Sequence, residues 1–142
     1  EIAWQKAGIF KKGSLALTIV QHPEASKIIE KRAAEANVRS YAVVREDRIT
    51  RNQKLGIEVD HQYQNAALAA EISSQWSDYF NEKNTEYTVK VTSDIISRGL
   101  ESAKWQGRTH ILKSAAYKNI TWYVDGAHNI ESMQVIHMHD TF

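Results

Sequence analysis

The period of the apolar residues changes several times along the chain, and each change marks an element. Leu15-Ala-Leu-Thr-Ile-Val20 is a continuous apolar, β-branched run without alternation, which predicts a strand covered on both faces. Pro23 and Glu24 suit the first turn of a helix, and Ala25, Ile28, Ile29, Ala33 and Ala36 then fall on one stripe of it. Tyr41-Ala-Val-Val44 predicts a second strand. A strand, a helix and a strand in this order imply parallel pairing through a right-handed crossover, so the fold class is α/β.

Around this unit the pattern is more broken. Residues 1–9 read as the end of a helix, with Gly8 taking the left-handed conformation that closes it, and 11–13 as a turn. Residues 45–53 are too charged for a core and predict a surface connection, followed by Lys54-Leu-Gly-Ile-Glu-Val59 as a short edge strand. Ala66, Ala69, Ile72, Trp76 and Tyr79 recur at three- and four-residue steps and predict a helix from Gln62 to Phe80. A polar break covers 81–88, and 81–92 is the best candidate for a domain edge. A further helix is expected at 93–103, capped by Ser93 or Asp94, and then two strands, 109–112 and 121–124, around a loop.

Composition narrows the class. A chain of 142 residues suits one core, and 42% hydrophobic with 25% charged residues argues against disorder. The formal net charge of +1 gives no global field to gather nucleic acid or an anionic membrane, so partners must be inferred from local sites. The absence of cysteine rules out disulfides and thiolate metal sites within these residues. There is neither a run of 18 apolar residues nor a signal-peptide core, so a soluble chain is expected. The first residue is Glu rather than Met, which suggests a piece of something longer.

Three polar clusters could carry chemistry. They are Gln5-Lys6-Ala7-Gly8, Asp60-His61-Gln62-Tyr63-Gln64-Asn65, and Gly107-Arg108-Thr109 followed by Asp125-Gly126-Ala127-His128-Asn129. Asp125 and His128 sit where an apolar strand gives out, and ligands collect outside the carboxyl ends of strands in open α/β sheets. Asp-Gly is equally an ordinary turn signal, and spacing alone does not separate the two. Arg108 has five donors suited to phosphate or carboxylate, while a lone arginine is commonly just solvated. Lys6 near a helix end also complements the helix dipole. His61 and Asn65, one turn apart, fit a ligand site or a cap followed by a helical hydrogen bond. His137, His139 and Asp140 have metal-like spacing within a short tail. No Walker A loop, dinucleotide fingerprint, nucleophile elbow or His-Glu-x-x-His motif is present.

Taken in order, four segments resemble a known family. Glu-Ile-Ala-Trp-Gln-Lys-Ala-Gly-Ile-Phe-Lys-Lys-Gly at 1–13, His61-Gln62 with Asn65-Ala-Ala-Leu-Ala69, Trp105-Gln-Gly-Arg-Thr109 and Trp122-Tyr-Val-Asp-Gly-Ala-His-Asn129 are similar to the folylpolyglutamate synthases, Mur-ligase-type ATP-dependent amide ligases. The Ala-Trp-Gln-Lys form is similar to the eukaryotic members. The resemblance implies an incomplete P-loop-type central domain, mostly parallel sheet with flanking helices and a small antiparallel edge. Residues 1–120 would be the latter part of the ATPase domain, and 121–142 the start of a truncated C-terminal domain.

It also implies a reaction in which ATP phosphorylates the γ-carboxylate of a tetrahydrofolate and glutamate attacks the acyl phosphate. The cofactors implied are ATP and Mg2+, with K+ as a further cation. The lysine matching Lys6 can be carbamylated, which requires the neutral amine that desolvation favours. The residues matching Asn65, Arg108, Asp125 and His128 line the nucleotide site. No metal ligand is assigned, because the family's phosphate loop and magnesium ligands precede the segment that begins at Glu1. The partners are small molecules, with neither nucleic acid nor a membrane anchor, in a protein monomeric at full length and cytoplasmic or mitochondrial. The tail from Ile136 does not resemble the family. A dihydrofolate synthase of the same family and a non-catalytic truncated α/β module are the alternatives, and the chain alone is expected to be inactive.

Overall fold

The computed structural model describes residues 1–57, 59, 61–128 and 133. Helix α1 (Ile2–Lys6) runs into a 3-10 turn (Ala7–Ile9), then come strand β1 (Leu15–Ile19), helix α2 (Pro23–Glu35) and strand β2 (Ser40–Val44). A 3-10 turn (Glu46–Arg48) precedes the long helix α3 (Gln62–Lys83), helix α4 (Ser93–Ser102) and strands β3 (His110–Lys113) and β4 (Thr121–Val124). β1 and β2 pair in parallel, Leu15 opposite Ser40 and Ile19 opposite Val44, so the strand, helix and strand unit forms as its sequence predicts. β3 and β4 form a separate antiparallel pair, with Ile111 opposite Tyr123 and Leu112 opposite Trp122.

The core is small and built largely from small side chains. Ala16 of β1, Ile29 and Ala33 of α2, Val44 of β2, and Ala66, Ala67 and Ala70 of α3 are buried. The α2 stripe behaves as predicted: Pro23 opens the helix, and Ala25, Ile28 and Ala36 flank the two buried positions. On α3 the helix extends to Lys83, but the buried line is rotated from the predicted one. Alanines and Ser77 let the helix approach the sheet closely, while Ile72, Trp76 and Tyr79 are about half exposed. They form one wall of an open groove of about 590 Å3 whose other wall is Phe10 and the edge of β1. For the same reason β1 is not covered on both faces: only Ala16 in it is buried.

Other departures have local causes. Gly8 does not adopt a left-handed conformation, because α1 tightens into the 3-10 turn and Phe10 N–H closes it on Ala7 O at 3.2 Å. The left-handed glycine is Gly13 (φ 74), whose N–H donates to Asn37 O at 2.9 Å. The expected edge strand at 54–59 is absent among its described residues. Gly56 instead donates to Leu100 O at 2.9 Å at the end of α4. α4 is capped by Thr92, whose hydroxyl accepts from Ile95 N–H at 3.3 Å, one position before the expected Ser93 or Asp94.

The charged connection at 45–53 is tied down rather than loose. Arg48 Nε meets Glu71 Oε2 of α3 at 3.0 Å, Arg51 pairs with Glu46, and Tyr63 Oη lies 3.0 Å from the carbonyl oxygens of both Arg51 and Gln53. The polar break after α3 is likewise fastened. The Asn81 side chain both donates to Val89 O (2.7 Å) and accepts from Val89 N–H (2.8 Å), imitating a strand partner. Burial pushes the Tyr41 phenol of β2 above its ordinary value, and the charge on Glu30 adds to the shift. Among the described residues no helix is long and apolar enough to cross a membrane.

Candidate functional site

The site begins with two turns brought together by the β3–β4 pair. Arg108 N–H donates to Trp105 O at 3.2 Å, closing a turn that carries Gly107 at φ 75 and then Thr109 at φ 45. A left-handed glycine is easily accommodated, but a left-handed threonine is strained and needs a compensating contact. Asp125 supplies it from the end of β4: its Oδ2 accepts from Thr109 N–H at 2.7 Å. The other oxygen, Oδ1, accepts from Ala127 N–H at 2.9 Å, the local turn that aspartate favours before glycine. His128 then folds back, with Nδ1 2.9 Å from Gly126 O, the geometry of an N–H donated to a carbonyl.

Arg108 completes the group. Its guanidinium rests on Gly126, where an added Cβ would lie 3.1 Å from Nη1 and 3.3 Å from Cζ. Arg108, Asp125 and His128, 20 residues apart in sequence at the extremes, therefore share one exposed patch. Both carboxylate oxygens of Asp125 are engaged by backbone N–H groups, so the aspartate holds the two turns in register. The guanidinium is presented outward on a glycine platform. Thr109 and Gly126 both lie in the third polar cluster of the sequence, but their contacts, the Thr109 N–H with Asp125 and Gly126 as the seat of Arg108, were not legible from it.

The other two candidates lie elsewhere. Asn65 is on the first turns of α3, where its amide donates to Gln62 Oε1 at 3.0 Å, and Gln62 Nε2 lies 3.1 Å from His61 Nε2. It borders an apolar cavity of about 170 Å3 together with Leu55, Ile57, Ala66 and Leu100. Lys6 is the last residue of α1 and is exposed. No described contact links Lys6 or Asn65 to the Arg108 patch. Asp60, Asn129, His137, His139, Asp140 and the tail from Ile136 to Phe142 lie outside the described residues. Among the described residues no three histidine or acidic side chains stand close enough to hold a metal ion.

The architecture is that of a known class. It superposes with TM-score 0.69 on a mutant of FPGS from L. casei, covering 96% of this chain and 36% of that one at 19% identity. Folylpolyglutamate synthase from Thermotoga maritima superposes with TM-score 0.64, covering 96% of this chain and 34% of that one at 23% identity. The fold is thus an α/β segment of the kind found in these synthases.

Sequence carries the likeness further. The chain is 35% identical over 143 residues to folylpolyglutamate synthase of Arabidopsis thaliana, 38% identical over 141 residues to that of Candida albicans, and 36% identical over 135 residues to the probable enzyme of Schizosaccharomyces pombe. The matches cover 93 to 94% of this chain and 25 to 27% of those proteins, so the chain spans about a quarter of the length of the curated relatives it matches. It is homologous to one segment of the folylpolyglutamate synthases. No family model matches the chain.

Proposed function

We propose that this chain is a segment of an ATP-dependent folate:glutamate γ-ligase and carries one wall of its nucleotide site. In that reaction a γ-carboxylate oxygen of tetrahydrofolate attacks the terminal phosphorus of ATP and ADP leaves. The glutamate nitrogen then attacks the acyl carbon, phosphate leaves, and the amine gives up a proton. The observation that carries the reading is the convergence of Arg108, Asp125 and His128 on one patch, within a chain similar to folylpolyglutamate synthases over almost its whole length.

Within this reading Arg108 would neutralise phosphate charge with its planar donors, which suit oxyanions better than a lysine ammonium would. Asp125 would hold the two turns, and His128 and Asn65 would line the nucleotide from the hairpin and from α3. Lys6 keeps the catalytic role proposed from the motif. Residues 1–120 belong on this reading to the ATPase domain and 121–142 to the start of the next, with the border falling between the paired strands β3 and β4. Magnesium, and K+ where used, would offset phosphate charge when bound. Among the described residues no three histidine or acidic side chains stand together to ligate either ion. The setting is a full-length monomer of the cytosol or mitochondrion.

A chain that spans a quarter of its relatives is expected to bind nucleotide weakly and to add no labelled glutamate to a reduced folate. The test is an amide NMR titration of the chain with Mg-ATP. Shifts confined to 107–109, 125–128 and the start of α3 around Asn65, with a dissociation constant of about 1 mM or weaker, support the reading, and Arg108→Ala should abolish them. Shifts located elsewhere, or a response that survives Arg108→Ala unchanged, would overturn it.

A further inference from the structure

We propose that Arg32 of α2 is a positioning residue: its guanidinium, stacked on Trp4 and oriented by Glu35, clamps α1 to the body of the protein and so sets where Lys6 stands. The consequence for catalysis rests on Lys6 having the role proposed for it; the clamp itself does not.

α1 needs such a device. None of its side chains is buried and none caps it. Its one side-chain link along the helix, Gln5 Nε2 to Glu1 Oε1 at 3.4 Å, is exposed. Behind it only Ala7, in the following 3-10 turn, is buried. Yet α1 packs against α2, and the contact has a definite centre: Arg32 Cζ sits 4.7 Å from the centroid of the Trp4 ring. That is well inside the distance at which a guanidinium is attracted to an indole face.

The arrangement around Arg32 shows that its orientation is fixed. Nη1 donates to Glu35 Oε2 at 2.8 Å, one turn along the same helix, which locks the plane of the guanidinium. Nε is buried and has no hydrogen-bond partner among the described residues. A solvated arginine would expose that donor; here the side chain is held with it buried while its face covers Trp4. Lys6 lies half a turn beyond Trp4 on a helix without a buried side chain, so the stack and Ala7 are what fix its backbone position among the described residues.

NMR of the chain without nucleotide tests this, read from the Cα secondary shifts of residues 2–6. Trp4→Ala and Arg32→Ala should each lower the helix–coil equilibrium constant of α1 about twofold to fivefold, the range set by a stacking pair of this exposure. Trp4→Phe, which keeps an aromatic face, should retain most of it. Arg32→Lys, which keeps the charge but loses the planar fork, should fall between. Wild-type α1 shifts in Arg32→Ala, or a Trp4→Phe variant as disturbed as Trp4→Ala, would overturn the clamp. Should Arg32→Ala lose the β1–β2 amide dispersion, the Trp4 pair decides, because Trp4 is 55% exposed and its truncation opens no core. The Mg-ATP response at 107–109 and 125–128 should be unchanged in Trp4→Ala. Loss of that response in the wild type would sink the nucleotide reading and leave the clamp standing.

Discussion

The guanidinium of Arg108 lies against Gly126, so close that an added side chain would press on it: a Cβ there would be 3.1 Å from Nη1. Gly126 has no left-handed backbone, so what it supplies is space. Gly126→Ala should therefore fold, with stability changed by no more than about 1 kcal/mol, because the far end of an arginine can swing away. The guanidinium, shifted off Gly126, should meet a phosphate less well. Thermal denaturation and the Mg-ATP titration together check this: an unchanged melt with a weakened hairpin response is expected, and an undiminished response would refute the platform.

Asp125 does two jobs with two oxygens, accepting from Thr109 N–H and from Ala127 N–H. Asp125→Ala removes both acceptors and leaves the left-handed Thr109 without compensation. The loss should amount to about 1–2 kcal/mol of local stability, since the freed N–H groups can turn to water. Hydrogen exchange should quicken across β3 and β4 while β1 and β2 stay protected. Asp125→Asn, with one carbonyl acceptor left, should lie between the wild type and Asp125→Ala; equal protection in all three would show that the aspartate does not hold the turns.

How much of this could be read from the sequence differs by element. The β1, α2, β2 unit was legible because its periods and Pro23 are local signals, and its parallel register follows. The face of α3 was not: a three- and four-residue spacing of Ile72, Trp76 and Tyr79 identifies a helix with an apolar stripe, but the alanine side allows the closer approach to the sheet and is buried instead. The loss of the 54–59 strand depends on a contact between distant segments, Gly56 with Leu100, which no window reports, whereas the Thr92 cap is local and lies one position from the expected one. At the candidate site the sequence placed Arg108, Asp125 and His128 in one polar cluster, but the contacts that join them were not legible. Arg108 and Asp125 meet only because β3 and β4 pair, whereas nothing described joins Lys6 or Asn65 to them.

Gly56 should be among the least replaceable positions. A Cβ there would lie 2.6 Å from Glu101 O and still nearer Ala103 O, and both are backbone atoms at the end of α4 that cannot swing aside. Gly56→Ala should cost about 3 kcal/mol, by forcing the 54–57 segment off α4 and breaking the Gly56 to Leu100 hydrogen bond. Circular dichroism melts measure it directly. A variant as stable as the wild type would mean that this segment has room to move.

Glu71 gives the fold an acid limit. Hydrogen bonds from Gln75 Nε2 (3.0 Å) and Arg48 Nε (3.0 Å) favour its ionised form and hold its carboxyl below the ordinary value of 4.5, with Gln75 the larger cause. A depressed carboxylate contributes stability that is fully present above its unfolded value and is lost as pH falls through that value towards the lowered folded one. Protonation releases Arg48 and with it the 3-10 turn at Glu46–Arg48 that this pair fastens to α3. The contribution is that of a partly exposed pair, on the order of 0.5 kcal/mol. Melts recorded from about pH 6 down to about pH 3 should show the wild type losing more stability than Glu71→Gln, which is slightly weaker at neutral pH but has no charge at this position to lose. Parallel pH profiles for the two proteins would show that the Arg48 to Glu71 contact does not set the acid limit.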